Sequence, residues 1–277
     1  MEFRTIVDIK PSAVKIEPHD EVLLVGSCFA DGIGRRFQEE KFPTTVNPYG
    51  TMYNPASVLH TVERWLPLQL EGGGGRLPRI VFLTLGTNHV YILKETGEVV
   101  DNCQKRPARL FEEKALSVEE CVATLQQAIH VLRQSNKEVR VVLTVSPIRY
   151  AKYGFHESQL SKATLLISVD RVVGDNQGVC YFPAYELVLD ELRDYRFYAP
   201  DMLHPSQQAV DYIFERLVET YFSDEARTFL DDWRPFKEAL AHRPLHPESP
   251  EYLAFMEKTH KQARQLMEKY PGLYIEH

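Results

Sequence analysis

The chain has 277 residues, enough to bury a sizeable core, and its 44% hydrophobic content is ordinary for a globular protein. A formal charge of -7 with no basic run argues against nucleic-acid binding. No segment reaches the roughly 20 apolar residues that span a bilayer, and the charged N-terminus lacks a signal peptide's apolar core, so a cytoplasmic protein without membrane contact is expected.

The four cysteines, Cys28, Cys103, Cys121 and Cys180, lack paired spacing, so no zinc site or disulfide framework is expected, and nothing implies a metal or an organic cofactor. After an extended lead-in, Val22 to Val25 form the short apolar run of a strand buried on both faces, and Gly26 ends it. Phe29, Ile33 and Phe37 then recur as one helical stripe. Ser27 therefore stands where a strand gives way to a helix, at the sheet edge where α/β proteins bind ligands. Serine is also a favoured N-cap, which this position alone would explain.

Pro43 to Pro55 read as a loop, followed by a helix from about Pro55 to Trp65 with Asn54 as its cap. Gly72 to Gly75 read as a surface insertion. Ile80 to Leu85 form a second buried strand ending at Gly86-Thr87-Asn88, then a hairpin turns at Glu95 to Gly97. A helix over Ser117 to Ser135, a strand over Val139 to Val145 ending near Arg149, a helix over Ser158 to Val173, a strand over Val179 to Phe182 and a further helix complete an alternating pattern. That pattern predicts a parallel sheet with helices on both faces. Asp201 and His204 form a D-x-x-H word just before an amphipathic helix that starts at Ser206. Such spacing lets the aspartate hold the histidine's Nδ1–H and leave Nε2 as a base. Arg149, at a strand end, suits either an anionic substrate group or, preferentially, a carboxylate at the rim.

The words G-S-C-F-A (26–30), N-P-Y-G-T-M-Y-N-P (47–55), L-G-T (85–87), D-N-C-Q-K (101–105) and S-K-A-T-L-L (161–166) resemble the GSCFA family, itself similar to SGNH or GDSL-like hydrolases. The resemblance covers about Val22 to Phe214. It implies a three-layer α/β/α fold with a mostly parallel sheet over residues 1–222; past Phe222 the chain reads as almost all helix, a C-terminal extension over 223–277. It implies Ser27 as nucleophile, His204 as base and Asp201 as its orienting acid; Cys28, directly after Ser27, is a weaker candidate nucleophile by its position alone. It also implies oxyanion donors at the Ser27 N–H, at the Gly50 N–H and on the side chain of either Asn88 or Asn102. Gln104 and Tyr150 depart from the family's words, where histidines are usual.

The expectation is a serine-dependent hydrolase of an ester on a small molecule or carbohydrate, such as an acetyl group. The alternative is a non-catalytic ligand- or glycan-binding module on the same fold. A third class, a scaffold, would use the helical tail Glu248 to Tyr270 and show an exposed apolar face there. The oligomeric state is not legible.

Overall fold

The computed structural model describes residues 3–71, 76–101, 103, 106–270 and 273. Five parallel strands form the central sheet: β1 (Val22–Gly26), β2 (Thr44–Val46), β3 (Ile80–Leu85), β7 (Arg140–Val145) and β8 (Val179–Tyr181), in the order β2-β1-β3-β7-β8. Both faces of β1 and β3 are buried, as their unbroken apolar runs require. The strand order reverses between β1 and β3, and ligands bind at such a point in open α/β sheets. Ser27 follows β1 directly.

Helices cover both faces. On one side lie α1 (Cys28–Glu39), α6 (Gln207–Tyr221), α7 (Asp224–Ala241) and α8 (Pro250–Lys269). On the other lie α2 (Pro55–Glu71), α3 (Val118–Ser135) and α4 (Gly154–Asp175). The short α5 (Ala184–Glu186) leads into one π-helical turn, Leu187–Glu191. The fold is thus the three-layer α/β/α arrangement with a helical C-terminal region.

Several elements differ from expectation. β2 lies in what reads as a loop, because three half-buried residues, Thr-Thr-Val, carry no periodic signal. Beside the central sheet, β4 (His89–Leu93) pairs with β5 (Val99–Val100) and with β6 (Phe111–Ala115) in a small antiparallel sheet. β6, sequence FEEKA, is a charged strand that alternation does not reveal. α2 runs on to Glu71, and α4 starts at Gly154, so Ser158 is a buried residue inside the helix and not its cap.

The N-terminal arm and the tail both close the α1 side. Ile16 bridges to Phe222, and its N–H donates to the Tyr221 carbonyl at 2.8 Å. Trp233 Nε1 donates to the Glu39 carbonyl at 3.1 Å, and Lys237 pairs with Glu40 at 2.7 Å, so α7 holds the far end of α1. α8 buries Thr259, Ala263 and Leu266 but exposes Leu253 and Phe255.

Candidate active site

Ser27 is positioned by Gly26. A Cβ at Gly26 would lie 2.1 Å from the Thr84 carbonyl oxygen, and its φ of +153° is rarely adopted by other residues, so only glycine lets β1 and β3 close here. The Gly26 N–H donates to Asn47 Oδ1 at 2.8 Å, while Asn47 Nδ2 reaches Asp31 at 2.7 Å; this bracket holds the strand-to-helix turn. Ser27 caps α1, its Oγ accepting from the Phe29 N–H at 3.3 Å and lying 3.4 Å from Thr84 Oγ1.

Asp201 and His204 are joined: Oδ2 lies 2.6 Å from Nδ1. Asp201 Oδ1 accepts from the Leu203 and His204 N–H groups at 2.9 and 3.0 Å, making a closed turn in which Met202 takes φ +58°. Those two backbone donors, then the imidazole, hold the exposed Asp201 carboxyl down at about 2.

Helix pairing places this turn relative to Ser27. Along α1 and α6, Gly32 faces Val210, Arg36 meets Asp211 at 3.3 Å, and the Phe37 and Phe214 rings lie edge to face at 5.3 Å. Residue numbers rise together on both helices, so the two run parallel. Their N-termini, capped by Ser27 and Ser206, therefore share the carboxyl edge of the sheet, with His204 two residues before the second cap.

The remaining predicted residues are more dispersed. The Ser27 N–H is taken by Thr84, at 3.2 Å to its carbonyl and 3.1 Å to its hydroxyl. Gly50 is exposed, with its N–H on the Asn47 carbonyl at 2.8 Å; its φ of +92° marks a turn glycine. Asn88 is buried, its Nδ2 donating to the Leu116 carbonyl at 2.7 Å and its Oδ1 without a hydrogen-bond partner among the described residues. Asn102 and Gln104 lie outside the described residues. Arg149 is not paired with a rim carboxylate: its Nη1 donates to the Met202 carbonyl at 3.0 Å and its N–H to the Leu203 carbonyl at 2.9 Å. It thereby ties the end of β7 to the Asp201–His204 turn. Among the described residues no group of His, Cys, Asp and Glu could hold a metal ion.

Two residues near Ser27 escaped notice in the sequence. Tyr53 and Ser27 both pack against Gly86, where an added Cβ would lie 3.3 Å from Tyr53 Cδ1 and 3.5 Å from Ser27 Cβ. The Tyr53 carbonyl accepts from the Gly86 and Thr87 N–H groups at 2.7 and 2.9 Å, and its hydroxyl lies 3.2 Å from Cys28 Sγ. Burial, then the Cys28 thiol, raises the phenol to about 12. Ser27 is fully shielded in this arrangement. Beyond Tyr53 the rings continue through Tyr150, Tyr153 and His89, the last two stacked at 4.2 Å.

Lys162 is the second. Its Nζ donates to the Gly86 carbonyl at 2.6 Å and the Ser146 carbonyl at 2.7 Å, tying the ends of β3 and β7 together. Burial pulls its pKa down to about 7. The available signal was a lysine on the apolar stripe of its helix, one turn before Leu165 and two before Val169.

The GSCFA family model matches residues 21–70 and 77–217, and the model of the GSCFA domain protein, C-terminal domain, matches 233–277. The chain belongs to the GSCFA family. Its second match gives the helical tail a place in the same family architecture. None of the curated proteins compared with it matches. Solved structures similar in outline include a carbohydrate esterase family 3 protein from Talaromyces cellulolyticus, 11% identical over 77% of this chain and 99% of that one, TM-score 0.42. An acetyl xylan esterase from the rumen bacterium Butyrivibrio proteoclasticus is 10% identical over 75% and 64%, TM-score 0.42. A member of the lipolytic G-D-S-L family from Veillonella parvula is 13% identical over 73% and 97%, TM-score 0.48.

Proposed function

We infer that this GSCFA protein is a serine ester hydrolase in which Ser27 attacks the ester carbonyl and His204 serves as general base, then as general acid toward the leaving alcohol. Asp201 fixes the imidazole so that Nε2 carries the acceptor lone pair. The supporting observation is the 2.6 Å Asp201–His204 contact, in the turn just before a helix parallel to the one that Ser27 caps. In the described arrangement His204 makes no hydrogen bond to Ser27, and Ser27 is shielded, so reaction requires the segment around Tyr53 to shift. The same shielding favours the rival reading, a binding module that never exposes its serine. A small acyl group on a carbohydrate or similar alcohol fits the family resemblance.

One experiment separates the readings. A fluorophosphonate should label the chain once, adding one phosphonyl group by intact mass, and Ser27→Ala should abolish labelling while leaving the fold unchanged by circular dichroism. Labelling that persists in Ser27→Ala, or maps to Cys28, would sink the assignment; no labelling at all favours the binding module.

A further inference from the structure

A pocket of about 330 Å³ opens between α4 and the segment that follows β8, within the size range of small-molecule sites. It is linked to the candidate active site through two sets of contacts. Lys162 lies in its lining and holds the carbonyl of Gly86, the residue that Ser27 packs against. Arg149 and Tyr198 line it too, Arg149 bound to the Met202 and Leu203 carbonyls, while the next residue after Tyr198, Ala199, donates to the His204 carbonyl at 2.8 Å.

Its polar lining consists mainly of donors. Gln159 Oε1 already accepts from the Tyr185 hydroxyl at 2.5 Å, which leaves the amide's N–H groups as its open functionality. Lys162 donates to two neutral carbonyls, and among the described residues it is in no ion pair. Among the described residues neither Arg149 nor Arg193 is ion-paired. The one carboxylate in the lining, Asp194, caps the Arg196 N–H at 2.9 Å and pairs with that guanidinium at 3.7 Å. With its pKa pulled down to about 7 by burial, Lys162 is only partly charged near neutral pH, and an anion in the pocket would favour its charged form. The walls are aromatic. The Arg149 guanidinium lies 4.1 Å from the Phe155 ring and 5.6 Å from the Tyr198 ring, so its plane is set before any ligand arrives.

We propose that this pocket binds a carboxylate carried on a ring, aromatic or sugar, the carboxylate meeting Arg149, Arg193 and Lys162 and the ring lying against the tyrosines. Its role as a substrate subsite rests on the ester-hydrolase reading; the binding itself does not. The acid-bearing part of the ester would occupy the pocket while the ester bond lies toward Ser27.

The test uses the full chain carrying Ser27→Ala and isothermal titration with benzoate and glucuronate against their neutral counterparts, benzamide and glucose. At least one acid should bind, at least about tenfold tighter than its neutral counterpart, as loss of a charge-assisted hydrogen bond predicts. Which acid binds identifies the ring. Arg149→Gln and Arg193→Gln should each weaken that acid; Arg193 is exposed, so its substitution tests the site without risk to the fold. Absence of binding by both acids, equal affinity for acid and neutral ring, or affinity unchanged in both arginine variants would overturn the proposal. Fluorophosphonate labelling of the parent chain is a separate result, so a failed hydrolase reading and a failed pocket are told apart.

Discussion

Asp201 uses its two oxygens for two tasks, one closing the backbone turn and one holding the imidazole. Asn at this position keeps the Oδ1 acceptor for the turn but can present N–H to Nδ1 and select the wrong tautomer. Asp201→Asn should therefore keep its fold and lose about 10⁴-fold in ester hydrolysis, and His204→Ala should lose as much, measured as kcat/KM on a p-nitrophenyl acetate-type substrate. A parent-like rate in Asp201→Asn with a dead His204→Ala would reduce Asp201 to a turn former. The carboxyl's depressed pKa also fixes a sign. Its folded value lies below the ordinary one of 3.8, so the turn's contribution is complete above that pH and fades as pH falls toward about 2. A ¹³C carboxyl titration should show Asp201 still ionised at pH 3. The D-x-x-H pair was legible because three-residue spacing in a turn is local chemistry. Lys162 was not, since its two acceptors come from strands far away in sequence.

At the scale of elements, the strand-to-helix turn at Ser27 and the alternation of strands and helices were readable because buried parallel strands are unbroken apolar runs. β2 and β6 were not, being short or charged and stabilised by pairing that local sequence does not encode. The segment 47–54 was legible as a loop, but its grip on Ser27 depends on the contact between Tyr53 and Gly86 across the sheet edge. Its engaged donors matter to the chemistry: the N–H groups of Gly50, Gly86 and Thr87 all end on carbonyls within or from this segment. Tyr53→Ala removes the ring that packs against Gly86 and should raise the fluorophosphonate labelling rate of Ser27, read by stopped-time intact mass. A lower rate with an intact fold would show that the ring positions the site instead of shielding it.

For the whole molecule, the aromatic cluster of Phe37, Phe42, Phe214, Phe222 and Phe229 joins the α/β core to the tail, with Trp233 anchored beside it. Trp233→Ala should cost about 3–5 kcal/mol by urea unfolding, as large aromatic truncations in a core do. A loss below 1 kcal/mol would mark the tail as loosely attached. The sequence marks this region as helical past Phe222, but not which face it covers, since three buried residues on α8 leave little periodic trace. That placement bears on how the chain leaves the ribosome. The α2–α3–α4 layer has its packing partners once Leu189 has emerged, whereas the layer bearing Ser27 waits for Phe229, Trp233 and Leu266. During that interval the apolar side of the first helix stands open to water, and it is there that a chaperone would meet the nascent protein.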